Sequence, residues 1–197
     1  MDHRLLQSVG FWTFLFSIDR DLAATACQAG CPCGGCLHRA DYPRKPRGGP
    51  KALPREYTYR LSFCCNREGC RKRLTPPSVR FLGRKVYLGA VVVLVAAMRQ
   101  GPTPRRVAEL RRMFDGVDRG TIARWLVFWR EQFPQTSFWK VARGQLALLV
   151  ELAELPLALL TAFVRDNDPD SRENWGRLLE FLSPITIPGA LKSEVSR

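Results

Sequence analysis

The sequence predicts an α+β protein, a small β unit followed by a mainly α-helical domain. Three observations predict it. Six of the seven cysteines fall into two tight clusters, at 31–36 and 64–70, separated by turn-rich sequence. Next to the second cluster, apolar and polar residues alternate with the period of a strand. Beyond residue 85 the apolar residues recur instead at three- and four-residue spacing, the period of amphipathic helices.

At 197 residues and 46% hydrophobic composition the chain can bury a substantial core. Its charge is uneven. Of a formal net +13, the segment Arg39–Lys85 alone carries +11, with 14 basic residues against Asp41, Glu56 and Glu68. Charge of this density favours polyanions, because each neutralised phosphate releases counterions.

Taken in order, residues 1–30 read as an N-terminal helical segment. The element at 3–18 is short and apolar, and a helix follows with Asp19 as N-cap, alanine-rich DLAATACQA as body and Gly30 as stop, which places Cys27 on a helix. The start carries Asp2, a short apolar run at Val9–Ile18 and no small-residue cleavage site, so a cytoplasmic location is expected. Residues 31–80 form the β unit with its basic linker PRKPRGGPKALPRE. In YTYRLSFCC the set Tyr57, Tyr59, Leu61, Phe63 and Cys65 alternates with Thr58, Arg60, Ser62 and Cys64, which predicts one strand with unlike faces.

Residues 86–183 are expected to be helical. Val86–Met98 is a 13-residue apolar run, too short for the roughly 20 residues that span a bilayer, and reads as a buried helix rather than a membrane segment. Thr103 caps a helix that begins with Pro104 and shows Val107, Leu110 and Phe114 on one face. Gly116-Val117 turns the chain and Asp118 caps a second helix, whose inward face is Ile122, Trp125, Leu126, Trp129 and Phe133; Pro134 ends it. Further helices are expected at 137–152, 155–164 and 172–182, and residues 184–197 as a flexible tail.

In a reducing compartment, clustered thiols are metal ligands more often than disulfides. Two turns carrying cysteine pairs, joined by a basic segment of some thirty residues, have the layout of a zinc ribbon. The expected ligands of zinc are Cys31, Cys33, Cys65 and Cys70, with Cys36 and Cys64 as alternates. A redox Cys33-Gly-Gly-Cys36 pair, an iron–sulfur cluster and plain buried cysteines are the competing readings.

The stretch TPRRVAELRRMFDGVDRGTIARWLVFWR, within 103–133, has the length and turn of a helix-turn-helix. Its second helix is expected to turn Arg119, Gly120, Thr121 and Arg124 outward, with Arg119, Thr121 and Arg124 reading DNA. The basic residues Arg44, Lys45, Arg47, Arg71, Lys72, Arg73, Arg84 and Lys85 are expected to meet phosphates. With two histidines, no Gly-rich phosphate loop and no Gly-x-Ser-x-Gly elbow, neither catalysis nor a small-molecule substrate is expected, and Asp166, Asp168 and Asp170 read as a capped turn.

The order CPCGG, LHRADYPRKPRG, FCCNREGCRKRLTPPSVRFLGRKVYL and DRGTIARW resembles the zinc-ribbon and helix-turn-helix proteins associated with bacterial insertion-sequence transposases, over roughly residues 27–140. The resemblance implies double-stranded DNA binding in transposition, with the cysteines as zinc ligands, the DRGTIARW helix as reader, and a transposase or recombinase as partner. A ribonuclease-H-type catalytic domain does not fit in the 64 residues after Phe133, so an accessory or truncated transposase-like protein without activity of its own is expected. Two alternatives remain: an adaptor docking a transposase or polymerase, and an RNA-binding ribbon.

Overall fold

The computed structural model describes residues 3–44, 53–82, 86–87, 103–114, 116–146, 151–164, 171–188 and 190. Helix α1 runs from Val9 to Gln28, and Ser8 caps it, its hydroxyl accepting from the Phe11 amide. Phe11, Trp12, Leu15, Asp19 and Ala23 form its buried stripe, and Trp12 Nε1 donates to the Leu6 carbonyl at 2.7 Å. Gly30, at φ +73°, follows its last turn.

Asp19 is therefore not an N-cap but a mid-helix residue. Its carboxylate accepts from Ser78 Oγ, the Val79 amide and Arg80 Nε, each at 2.7 Å, and binds α1 to the segment Ser78–Arg80. Those three donors replace the helix-starting role that the sequence suggested.

The strands form three small antiparallel sheets. Strands β1 (Leu37–Arg39), β4 (Phe63–Cys65) and β5 (Arg73–Leu74) lie in the order β1-β4-β5, with Leu37 opposite Cys65 and Cys64 opposite Arg73. Strand β2 (Tyr42–Pro43) pairs with β3 (Tyr59–Arg60), and β6 (Phe81–Leu82) with β7 (Val86–Tyr87). Val86 and Tyr87 are thus in a strand, not at the head of a helix, and the rest of the expected 86–98 helix lies outside the described residues.

The continuous strand expected over YTYRLSFCC is broken. Arg55–Thr58 is a 3-10 turn, and β3 and β4 belong to different sheets. Arg60, Leu61 and Ser62 are buried in succession because each has a separate partner: the Arg60 guanidinium donates to the Pro76 carbonyl, Leu61 joins the apolar interior, and the Ser62 amide donates to Asp41 Oδ1 at 3.0 Å. Local hydrogen bonding overrides the two-residue period here.

Helices α2 (Pro104–Met113) and α3 (Arg119–Val127) flank a turn in which Gly116 takes φ +65°. Asp118 caps α3 by accepting from the Thr121 amide at 2.6 Å. Val107, Leu110 and Phe114 are buried, as are Ile122, Trp125, Trp129 and Phe133, and all belong to one apolar cluster, as their spacing predicts. A π-helical turn (Phe128–Gln132) and a 3-10 turn (Phe133–Gln135) then lead to α4 (Ser137–Ala142), capped by Thr136. The long helix expected over 137–152 ends by Ala142 and is followed by a 3-10 turn at Arg143–Gln145.

Helices α5 (Leu157–Phe163) and α6 (Arg172–Leu182) pack on each other, and α6 closes against α1, where Gly176 lies under Phe14. One hydrophobic core runs from Leu6 and Trp12 through Val79 and Phe81 to Trp175 and Ile185. Ile185 and Thr186 are buried and not part of a tail: Ile185 joins that core, and Thr186 Oγ1 accepts from the Ser78 amide at 2.9 Å. Among the described residues no helix is long and apolar enough to cross a membrane.

Candidate metal centre

Two turns deliver cysteines to one point. In the first, the Gly34 amide closes on the Cys31 carbonyl at 2.8 Å while Gly34 itself takes φ +78°. Gly35 then passes so close that a Cβ on it would stand 2.6 Å from Cys65 Sγ and 3.3 Å from Cys33 Sγ. Only glycine fits at that approach. In the second turn the Cys70 amide closes on the Arg67 carbonyl at 3.1 Å, with Gly69 at φ +80° and Arg71 at φ +43°.

A strap joins the two turns. The Asn66 amide donates to the Cys36 carbonyl at 2.9 Å, and the Cys36 amide donates to Asn66 Oδ1 at 3.0 Å.

The Sγ atoms of Cys31, Cys33, Cys65 and Cys70 all lie within 4.8 Å of one another. Cys31 to Cys33 is 3.4 Å, Cys33 to Cys65 is 3.5 Å and Cys31 to Cys70 is 3.7 Å. A tetrahedron with metal–sulfur bonds of about 2.3 Å has edges of about 3.8 Å. A disulfide would need about 2.05 Å, so these are four free thiols at ligand spacing. Sulfurs this close could hold one metal ion and leave no room for a multi-iron core.

The two alternates are turned away. Cys36 is exposed, and Cys64 sits on the opposite face of β4 from Cys65, with its thiol donating to the Arg71 carbonyl at 3.5 Å. Cys27 lies on α1, outside the quartet.

The thiols are not equivalent. The Gly35 amide, followed by the thiols of Cys31 and Cys70, lowers Cys33 to about 6. At Cys65 the Arg67 amide acts to lower the value, but burial and the thiols of Cys33, Cys31 and Cys70 prevail and raise it to about 12. Cys31 is likewise raised: the Cys33 amide opposes the shift, and the Cys33 thiol and burial bring it about. The first negative charge therefore settles on Cys33, whose carbonyl accepts from the Arg67 guanidinium.

Basic side chains follow the second turn and strand β2. Arg71, Lys72 and Arg73 are exposed, and Arg44 is half-buried. Arg44 and Arg73 stand over the Tyr42 ring at 4.5 and 5.3 Å, and Arg44 Nη2 donates to the Tyr42 hydroxyl at 2.7 Å. Lys45, Arg47, Arg84 and Lys85 lie outside the described residues.

On α3, Arg119 and Arg124 are exposed, but Thr121 is only 2% exposed. This corrects its expected role as an outward reader. Its amide meets the Asp118 cap and its Oγ1 accepts from Arg124 Nη2 at 2.9 Å, which turns the hydroxyl into the helix surface.

Counting charges along the sequence also misses that Arg60 and Arg80 are buried. Burial lowers Arg60 to about 10, against the attraction of Asp19. Nothing in the spacing of exposed Arg20, Arg39, Arg55 and Arg67 marks them in the sequence.

No family model matches the chain, and neither a curated protein nor a solved structure matches it.

Proposed function

We propose that the chain is a zinc-dependent DNA-binding protein that recognises mobile-element or regulatory DNA and performs no catalysis of its own. The observation that carries this reading is the quartet of Sγ atoms within 4.8 Å, assembled from two turns amid exposed Arg67, Arg71, Lys72 and Arg73. Four thiolates at tetrahedral spacing suit zinc, and a basic surround suits phosphate. The first two turns, with the β1-β4-β5 sheet, would act as a zinc ribbon that holds the basic side chains in place.

The pair α2 and α3 supplies the second half of the reading. With Ile122, Trp125 and Trp129 buried, Arg119, Gly120, Ala123 and Arg124 remain as the exposed start of α3, the part of a recognition helix that enters the major groove. Arg119 and Arg124 are its candidate base or phosphate contacts. A transposase or recombinase bound to the same DNA is the partner this reading implies. Among the described residues the cysteines are the one grouping of three or more potential metal ligands, whereas a two-metal nuclease centre requires carboxylates.

The test is metal analysis of protein purified without added metal, coupled to duplex selection from a random pool. About one equivalent of zinc per chain is expected, with duplex affinity that falls steeply with salt at a log–log slope of about −0.9 per phosphate neutralised. Duplex affinity indifferent to salt, or a pool that yields no enriched sequence, rejects DNA recognition and leaves a protein-docking role.

A further inference from the structure

A trough runs between α1 and the small sheets. It has two adjoining lobes of about 500 and 600 Å³, which share Phe16, Arg39, Asp41 and Leu61. Each lobe is within the size range of ligand sites. One lobe continues along α1 past Arg20 and Ala24 to Phe63; the other continues past Tyr59 to Arg55 and Glu56.

The floor is apolar and aromatic, and the rim is charged with both signs. Phe16, Tyr59 and Phe63 are half-buried, so their rings are partly open to a ligand. Phe16 is held in place, with the Arg80 guanidinium at 4.5 Å over its ring and the Tyr57 ring edge-on at 5.6 Å. Asp41 is fixed by the Ser62 amide and by Arg39 Nε at 2.5 Å. Arg20 and Arg55 are exposed, and among the described residues their guanidinium groups have no hydrogen-bond or ion-pair partner.

These features constrain the occupant. A fatty acyl chain would use the floor but has no donor for Glu56. An acidic peptide would match the arginines but brings no planar group to stack on the half-buried rings. A nucleotide satisfies all three: its base stacks on aromatic rings, its exocyclic amine donates to a carboxylate and its phosphate binds guanidinium. In a duplex the base faces are hidden, so the occupant must be unpaired.

We infer that the α1 trough is a single-stranded nucleic-acid site, with one base in each lobe and the backbone along Arg20, Arg39 and Arg55. The inference deepens the DNA-binding reading above and rests on it. It assigns unpaired strand to the trough and duplex to α3, as a protein acting on a melted or nicked end would need.

The test uses the full-length zinc-loaded protein and fluorescence anisotropy with a labelled single strand and the blunt duplex of the same sequence. Two trough variants are compared. Arg20→Glu with Arg55→Glu reverses the rim charge, and Ala24→Trp, at an exposed helix position, fills one lobe without touching a charge. Both are expected to weaken single-strand binding about tenfold or more, with duplex binding within about twofold of wild type, because a stacked base is worth on the order of 1–3 kcal/mol. Arg124→Ala is expected to show the reverse pattern. Single-strand binding unchanged in both trough variants, or falling in parallel with duplex binding, overturns the trough assignment and leaves duplex recognition standing. Wild-type protein that binds neither probe overturns both.

Discussion

Asp19 on α1 and Arg80 before β6 form an ion pair of 2.7 Å with both side chains sealed from solvent, at 2% and 0% exposure. Arg80 also donates to the carbonyls of Tyr57 at 2.7 Å and Tyr59 at 3.0 Å, so the pair ties three segments together. Removing one member leaves the other charge buried without a counterion. Asp19→Ala is expected to destabilise the protein by about 3–5 kcal/mol, read as a lower urea midpoint with unchanged slope.

Cysteine-to-serine substitutions should separate the ligands from their neighbours. Cys31→Ser, Cys33→Ser, Cys65→Ser and Cys70→Ser are each expected to lower zinc affinity by more than the roughly 10–100-fold that loss of an outer-shell partner costs. Cys36→Ser and Cys64→Ser are expected to retain about one zinc per chain, since neither thiol joins the quartet. Competition with a chromogenic chelator measures both.

Adjacent glycines at the first turn should behave differently. In Gly35→Ala the new methyl carbon would sit 2.6 Å from Cys65 Sγ, so the sulfurs must move and zinc affinity is expected to fall on the order of tenfold or more. Gly34→Ala meets nothing within 4 Å but takes φ +78°, so it is expected to cost about 1–2 kcal/mol of stability with the ligand geometry kept. Chelator competition and thermal melts, run on both variants, distinguish the two effects.

The metal-free protein should show a stability maximum set by two thiols. Cys33 has a folded value of about 6, below its ordinary 9.0, so its contribution is complete above 9.0 and lost as pH falls through 6. Cys65 has a folded value of about 12, so its contribution is present below 9.0 and lost as pH rises through 12. Melting temperature in chelator is therefore expected to climb from pH 6 towards 9 and decline beyond. Cys33→Ser should flatten the lower limb.

On α3 the contrast is between neighbours one turn apart. Arg124→Ala is expected to weaken duplex binding and reduce the salt slope by about one, whereas Thr121→Val is expected to leave affinity within about twofold, because that hydroxyl faces the helix surface. Filter binding across a salt series checks both.

How much of this was legible in the sequence depended on the distance between partners. Cys31 and Cys33 lie two residues apart and Cys65 and Cys70 five, so turn chemistry and strand parity favour the quartet, but they leave Cys36 and Cys64 as alternates, and only the fold brings the four sulfurs together without them. The inward face of α3 was legible for the same reason, since Ile122 and Trp125 follow the helical period. Asp19 looked like a cap because its partners Ser78, Val79 and Arg80 are 59 to 61 residues away, and no local pattern foretells them. Arg60 and Arg80 count towards the +11 of Arg39–Lys85, and only the tertiary fold shows that their charges are internal.

Thr186 accepts from the Ser78 amide across 108 residues and from Arg60 Nη2 across 126. The hub that seats the β segments against α1 thus has one component that the ribosome makes last. A nascent chain can close its cysteine turns early, but it cannot complete this clasp until residue 186 has emerged. Proteolytic fragments ending before that point would carry an unfinished interior, so the two halves should be lost together rather than survive as separable modules.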